Sequence, residues 1–337
     1  MAPRLLTFDD VAAALGLGGE HEIWRDRFPE SEGFARREAL DLPSAEDLPA
    51  LCEQLRFPDD VGEALVPARR ALDDEPALVR LLHHCRWLMR SADPDQTPFA
   101  TPWPQLPDEV GDGAALFYPM VLLAEAPRLR RWHADKGISE EVSLETIADV
   151  GRQIDICRCI YGRWAFDEMA WLGHHFAGRL FQLGRLQFAF GLWWIPLAAG
   201  EECDLEPMAP VLDVHIPDIG PLDPDDCDRS FALARRFFAE HFPSFDYRAF
   251  MCFSWLLDDQ LGDYLAADTN IMRFQRRWRL VQPERPTPDR AGVLRLVFRR
   301  IDPDLDDLPQ GTTLQRTIVG HLRAGREWET GLGYIPA

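Results

Sequence analysis

The stretch from Val211 to Asp258 leaves the chain little freedom in how it can fold. Val211 to Ile216 is short and rich in β-branched residues, and Pro217 removes a ladder donor and stops it. Gly220-Pro221 and Pro224 mark a loop. From Asp225 to Phe242 the period changes. Cys227, Phe231, Ala234, Phe238 and Phe242 fall on one face of a helix, which Pro243 ends. Tyr247 to Trp255 alternates again, with Phe250, Cys252 and Ser254 on one side and Met251, Phe253 and Trp255 on the other. Asp258 is placed to cap a further helix. Two strands joined by a crossover helix are expected to be parallel neighbours. In open α/β sheets, ligands gather beyond the carboxyl ends of such strands. His215 and Ser254 stand at those two ends, so chemistry is sought there.

The rest of the chain divides near residue 180. Before it, the period is helical. A small helix is expected from Phe8 to Gly16–Gly19, one capped by Ser44 and running to Leu55, and one opened by Pro76 with Leu78, Leu81, Leu82, Cys85, Leu88 and Met89 on its apolar face. Ser91 to Asp112 reads as a proline-rich loop in which Phe99 and Trp103 pack down. Further helices are expected over Ala114–His133, from a Ser143 cap to Gly162, and over Asp167–Gln182. After Gly184 the alternation of Leu186, Phe188 and Phe190 predicts a strand, with Trp193–Ile195 as a second. Beyond the central unit, the reading is a helix from Asp259 to about Leu280, a strand at Val293–Phe298 and a last helix at Leu314–Leu322. The expected class is α+β: a helical N-terminal domain followed by a mixed α/β sheet domain.

Composition narrows the function classes. The 337 residues are 46% hydrophobic and suit two globular domains. A formal net charge of −20 repels phosphate backbones and anionic membranes, so nucleic acid and membrane surfaces are excluded as main partners. No apolar run of about 18 residues or more is present to span a bilayer, and the N-terminus, with Asp9 and Asp10, is not a signal peptide. Seven cysteines without scaffold spacing read as reduced thiols of a cytoplasmic protein. No metal site is expected: His83-His84 and His174-His175 are adjacent on helices rather than one turn apart, and Cys157 and Cys159 point to nearly opposite sides. Nucleophile elbow, phosphate loop and dinucleotide fingerprint are all missing from the sequence.

Several strings are familiar in combination. They are Gly173-His174-His175-Phe176 through Phe188, Val214-His215-Ile216-Pro217 with Gly220-Pro221-Leu222, Cys252 to Asp258, Thr269-Asn270-Ile271 with Phe274, and Gly137-Ile138 followed by Thr146-Ile147-Ala148-Asp149 and Gly151. Together they resemble a bacterial family of acyltransferase-domain proteins, in which a helical N-acyltransferase N-terminal domain precedes a GNAT-like C-terminal domain. The resemblance runs from about residue 8 to 330 and implies domains at 1–178 and 179–337. It implies an N-acyltransferase that moves an acyl group from a coenzyme A or acyl carrier protein thioester to an amine of a small molecule, with no metal. The two strands would splay and take the pantetheine arm between them, while the helical half would shape the acceptor pocket.

On that reading, His215 is the base for the amine, because an imidazole titrates near 6.5 in water. Its alternative is a ring that bonds a loop carbonyl. Ser254 would help hold the donor or position a water, against a small residue filling a sheet face. With His215, it also leaves open a hydrolase. Tyr264 would reprotonate the thiolate, against a packing role. Ile216, Gly220, Ser230, Trp255, Asn270, Arg273 and Arg277 form the candidate thioester-binding set. Arg273, Arg276, Arg277 and Arg279 would meet phosphate or a carrier protein, against a solvated helix face. One departure stands out. Where ordinary GNAT enzymes present a glycine-rich turn to pyrophosphate, this chain has Asp218, Asp223, Asp225, Asp226 and Asp228 with only Gly220. Those carboxylates would occupy the helix end themselves. The donor is then held differently, rides on a carrier protein, or the fold serves as a silent ligand-binding or sensor protein.

Overall fold

A spacing of three and four residues governs the chain as far as residue 176, and the regular elements described there are all helical. The computed structural model describes residues 5–17, 22–38, 42–91, 103, 106–111 and 113–337. The chain divides into two units, Met1–Arg179 and Leu180–Ala337.

The first unit contains α1 (Phe8–Leu15), α2 (Glu22–Arg27), α3 (Glu32–Arg37), α4 (Leu48–Gln54), α5 (Val61–Asp74), α6 (Pro76–Ser91), α7 (Phe117–Asp135), α8 (Glu140–Tyr161) and α9 (Met169–Phe176). α1 opens with a capping box between Thr7 and Asp10 and ends on left-handed Gly16. The expected continuation to Gly18 and Gly19 lies outside the described residues, as does Phe99; Trp103 is buried. Pro76 opens α6, whose apolar face is the expected one. α8 is capped by Ser139, not Ser143. Glu140 and Glu141 favour the first turn beside the helix dipole, and Ser143, one turn in, is buried against His133 Nδ1 at 2.8 Å. Likewise α4 starts at Leu48, and Ser44 closes a turn onto Asp47 instead of capping the helix. In the core, Glu125 is fully buried and receives Arg86, Arg90 and Arg128 at 2.6, 2.8 and 2.8 Å.

The second unit is a six-stranded sheet in the order β1-β2-β3-β4-β6-β5. Its strands are β1 (Leu180–Leu183), β2 (Leu186–Leu192), β3 (Pro210–His215), β4 (Ala249–Ser254), β5 (Arg279–Val281) and β6 (Gly331–Pro336). The helices are α10 (Pro224–His241), α11 (Asn270–Gln275), α12 (Arg290–Phe298) and α13 (Thr313–Arg323). β3 and β4 are parallel and joined by α10, as the sequence predicts. α10 covers one face of the sheet, packing Phe231 on Phe188 and Phe250, and Phe237 and Phe238 on Phe181.

Four further local expectations are corrected. The helix expected over Asp167–Gln182 is only α9. Gly178 turns the chain left-handed where an added Cβ would lie 2.7 Å from Trp132, and β1 follows. Trp193–Ile195 belongs to no strand. The helix expected from Asp259 to Leu280 is a 3-10 turn, short α11 and strand β5. Val293–Phe298 is helical, because Asp289 caps Gly292 N and Val293, Leu294 and Phe298 share the buried face. β6 gives no strand signal in the sequence. Its alternate residues Gly331 and Gly333 are small because a Cβ would come within 2.2 Å of Leu257 O and 2.9 Å of Trp278 Cβ.

Candidate active site

The parallel ladder between β3 and β4 is short. It pairs Val211 with Ala249, Leu212 with Phe250 and Asp213 with Met251, and then stops. On its other side β3 stays paired with β2 as far as His215 opposite Gln187. β4 stays paired with antiparallel β6 as far as Ser254 opposite Gly331. Each strand is therefore held by its outer neighbour while the two part from each other. The result is a fork whose inner backbone edges, after residues 213 and 251, make no ladder bonds to one another. His215 and Ser254 end the two arms.

The strand period sorts the side chains. Leu212 and Val214 are buried on the α10 face with Phe188 and Phe250. Asp213 and His215 share the other face, with Gln187 and Ala189 of β2 opposite them. Asp213 Oδ2 stands 3.8 Å from His215 Nε2, and both side chains are partly accessible, at 27% and 29%. Burial pushes the Asp213 carboxyl up to about 7. Asp213 is absent from the candidates that the sequence offers, although it carries a signal: a carboxylate inside a β-branched strand, two residues before the histidine and so on the same face.

The loop leaving His215 is tied down. Arg185, from the β1–β2 turn, donates to the carbonyls of Pro217 at 2.9 Å, Gly220 at 2.7 Å and Pro221 at 2.8 Å. Asp218 pairs with Arg299. Gly220 has φ +116° with open space beside it, a conformation that favours glycine. Ile216 is partly buried. The α10 N-terminus closes on itself: Asp223 Oδ1 accepts from the amides of Asp225 at 3.0 Å and Asp226 at 3.2 Å. Ser230 is fully buried, donating to Asp226 O and accepting from Arg185 N and Leu186 N at 2.7 and 3.3 Å. It joins α10 to the β1–β2 turn. Arg277 reaches Asp228 at 2.9 Å and Pro224 O at 2.8 Å, tying the short helix α11 to the start of α10.

The remaining candidates gather beyond the end of β4. Ser254 Oγ accepts from Leu256 N at 3.2 Å and caps a 3-10 turn. Trp255 is buried with Leu261, Val293, Ile318 and Trp328 in a small core. Tyr264 packs against that core, 2.9 Å from His321 Nδ1. His321 Nε2 faces the Glu327 carbonyl at 3.1 Å, which fixes the proton there, so the tyrosine hydroxyl donates to Nδ1. Arg326 in turn donates to the tyrosine oxygen at 3.1 Å. Asn270 is the first residue of α11 after the Thr269 cap, and Arg273 is exposed on the same helix. The fold thus brings His215, Asp213, Ile216 and Ser254 to the fork. It places Ser230, Trp255 and Tyr264 in hydrogen-bonded or packed roles around it. A separate cavity of about 630 Å³ lies within the first unit, walled by Leu51, Leu55, Leu123 and Ile138 with Arg130 and Arg131, and holds none of the candidates. Among the described residues, no three His, Cys, Asp or Glu side chains stand together as a metal site. No helix among them is long and apolar enough to cross a membrane.

Comparison with known proteins identifies the family of the fold. The N-acyltransferase N-terminal domain family matches residues 46–178, and the GNAT-like C-terminal domain family matches residues 180–335. A solved acyltransferase in complex with decanoyl-CoA and teicoplanin is 33% identical with a TM-score of 0.86, over 98% of this chain and 99% of that one. An acyltransferase in complex with CoA and 10C-teicoplanin gives the same values. One in complex with decanoyl-CoA is 34% identical with a TM-score of 0.85, again over 98% and 99%. None of the curated proteins matches the chain. With both halves matched in order, and a third of its residues shared with these structures over nearly its whole length, the chain belongs to the acyltransferase family built from an N-acyltransferase N-terminal domain and a GNAT-like C-terminal domain.

Proposed function

We propose that this acyl-transferring enzyme is an N-acyltransferase that moves an aliphatic acyl group from coenzyme A to an amine of a small molecule. The observation that carries the reading is the parting of β3 and β4 beyond Asp213 and Met251, with His215 at the lip. A pantetheine arm is extended and carries amides, so it can add to the inner strand edges as a short third strand would. The amine approaches on the face that bears His215, opposite α10. As its nitrogen bonds the thioester carbon, the imidazole takes its proton and the carbonyl electrons move onto oxygen, where backbone N–H groups meet the charge. The C–S bond then breaks, the thiolate leaves with the electron pair, and the proton held by His215 returns to it. One amide and one thiol result.

Decanoyl-CoA and teicoplanin in the similar structures support an aliphatic donor and a glycopeptide-type amine acceptor. The self-capped start of α10 argues that the phosphates are held elsewhere than in the usual helix-end cradle. A carrier-protein thioester would bring the same arm without those phosphates. All seven cysteines are free thiols, which supports a reducing, cytoplasmic setting.

The test is an assay with decanoyl-CoA, decanoyl carrier protein and an amine panel that includes teicoplanin. Thiol release should match amide formation one for one with the CoA donor, and His215→Ala should lower kcat/KM by about 10²-fold or more. Release only from the carrier protein would replace the donor. No release with any amine, or an unaffected alanine variant, would overturn the reading.

A further inference from the structure

The fork holds a group that the reaction as written does not use. Asp213 is the last residue of β3 to pair with β4, so it stands at the crotch of the fork, one strand repeat inward from His215 and on the same face. We propose that Asp213 is a positioning residue for acyl transfer, whose carboxylate orients the His215 ring and stabilises the imidazolium formed when that ring takes the amine proton. The inference rests on His215 being the base.

The geometry favours this pairing over a purely structural acid. A carboxylate within a strand is ordinarily neutralised by a cation or hydrogen-bonded by donors, because burying a lone charge is costly. Among the described residues, no arginine or lysine pairs with Asp213. Its charged-partner distance is the 3.8 Å to His215 Nε2. That spacing is too long for a hydrogen bond and short enough for an ion pair once the ring is charged. β2 offers it only the uncharged Gln187, Ala189 and Gly191 on this face, and a Cβ added at Gly191 would come 3.3 Å from the Asp213 Cβ. β4 offers Met251 on this face. It also carries Cys252, a thiol that burial and the Asp213 charge hold well above its usual range, so it stays neutral. The imidazolium is therefore the one cation the described surroundings supply to this carboxylate, and only when His215 holds a proton. The high carboxyl value fits a group waiting for such a partner. Proton balance is unchanged: the proton travels from amine to imidazole to thiolate, and Asp213 lends charge without taking it.

The pH profile of kcat/KM separates this role from a structural one. In the native enzyme the acid limb reports the coupled pair, imidazole and carboxylate together. Asp213→Asn keeps the shape but removes the charge. We expect kcat/KM on the plateau to fall about 10- to 100-fold, and the acid limb to move to lower pH and become a single ionisation, because the imidazolium loses its neighbouring anion. Asp213→Glu should restore part of the rate and a coupled limb, and it serves as the reading if the asparagine variant folds poorly by its thermal melt. A rate within about threefold of native, or a lowered rate with the limb unmoved in both variants, overturns the proposal. His215→Ala is the control. If it retains activity, the base assignment itself fails; if it is inactive while both Asp213 variants keep the native limb, only the present inference fails.

Discussion

Two acidic residues, one in each unit, sit in opposite circumstances. Glu125 of the helical unit is fully buried, yet burial is outweighed by hydrogen bonds from Arg90 and Arg86, and its carboxyl is held below the usual range. With Arg128 it locks α6 to α7. Asp213 of the sheet unit keeps 27% of its side chain accessible, has no arginine or lysine beside it among the described residues, and is pushed up to about 7. The first arrangement is a closed electrostatic account suited to holding helices. The second leaves a carboxylate whose charged neighbour is a histidine 3.8 Å away at a strand fork, where the proposed acyl transfer would form a transient cation. The paired carboxylate suits architecture, and the one short of a cation is the candidate for chemistry.

Glu125→Ala removes the buried carboxylate that Arg86, Arg90 and Arg128 share. It should cost about 3–5 kcal/mol in chemical denaturation. Since the Glu125 carboxyl is lowered on folding, its contribution is complete above the unfolded value near 4.5 and is lost as pH falls through the lower folded one. A loss under about 1 kcal/mol would place Glu125 among ordinary surface ion pairs.

Asp213→Asn should act with the opposite sign. Its carboxyl rises from 3.8 unfolded to about 7 folded, so the native state prefers the proton and the charge opposes folding as pH climbs between those values. The variant should be more stable than native by about 1–3 kcal/mol at pH 8, with the gain vanishing below about pH 4. Denaturation curves at both pH values check this, and a variant destabilised at pH 8 would show that the carboxylate is paired after all. The smallest effect belongs to Asp223, an acid satisfied by backbone amides. Asp223→Ala should cost about 1 kcal/mol as a lost helix cap. With the donor phosphates held away from the α10 start, freeing its two amides should leave the KM for acyl-CoA relative to acyl-pantetheine unchanged. A KM that falls for acyl-CoA alone would place the phosphates at that helix end.

How much of this could be read beforehand follows the same division. The change of period at Gly184 and the strand-helix-strand of 211–255 declare the α+β class, because both faces of that unit are packed and the pattern is strong. The fork itself follows only from resemblance, since where a ladder stops depends on neighbours elsewhere in the chain. β6 is such a neighbour here. It keeps β4 paired as far as Ser254, past the end of the β3 ladder, yet its glycines at 331 and 333 erase the alternation by which strands are recognised. Val293–Phe298 fails for the converse reason: β-branched composition suggested a strand, and the Asp289 cap with a buried face at helical spacing prevailed. At the site, His215 and Ser254 could be named because they end strands. The sequence puts Asp213 on the face of His215, but its partial burial, and the want of an arginine or lysine beside it among the described residues, are properties of the folded sheet.

In the proposed reaction the gap between β3 and β4 receives the thioester arm and brings the acceptor nitrogen to His215. A crystal structure with a non-cleavable decanyl thioether of coenzyme A and an amine acceptor tests it most directly. The pantetheine arm should lie along residues 214–216 and 252–254, with the amine about 3–3.5 Å from the carbon that replaces the acyl centre and the His215 ring within hydrogen-bond reach of that amine. An arm bound anywhere else, with His215 turned away from the amine, would contradict the account.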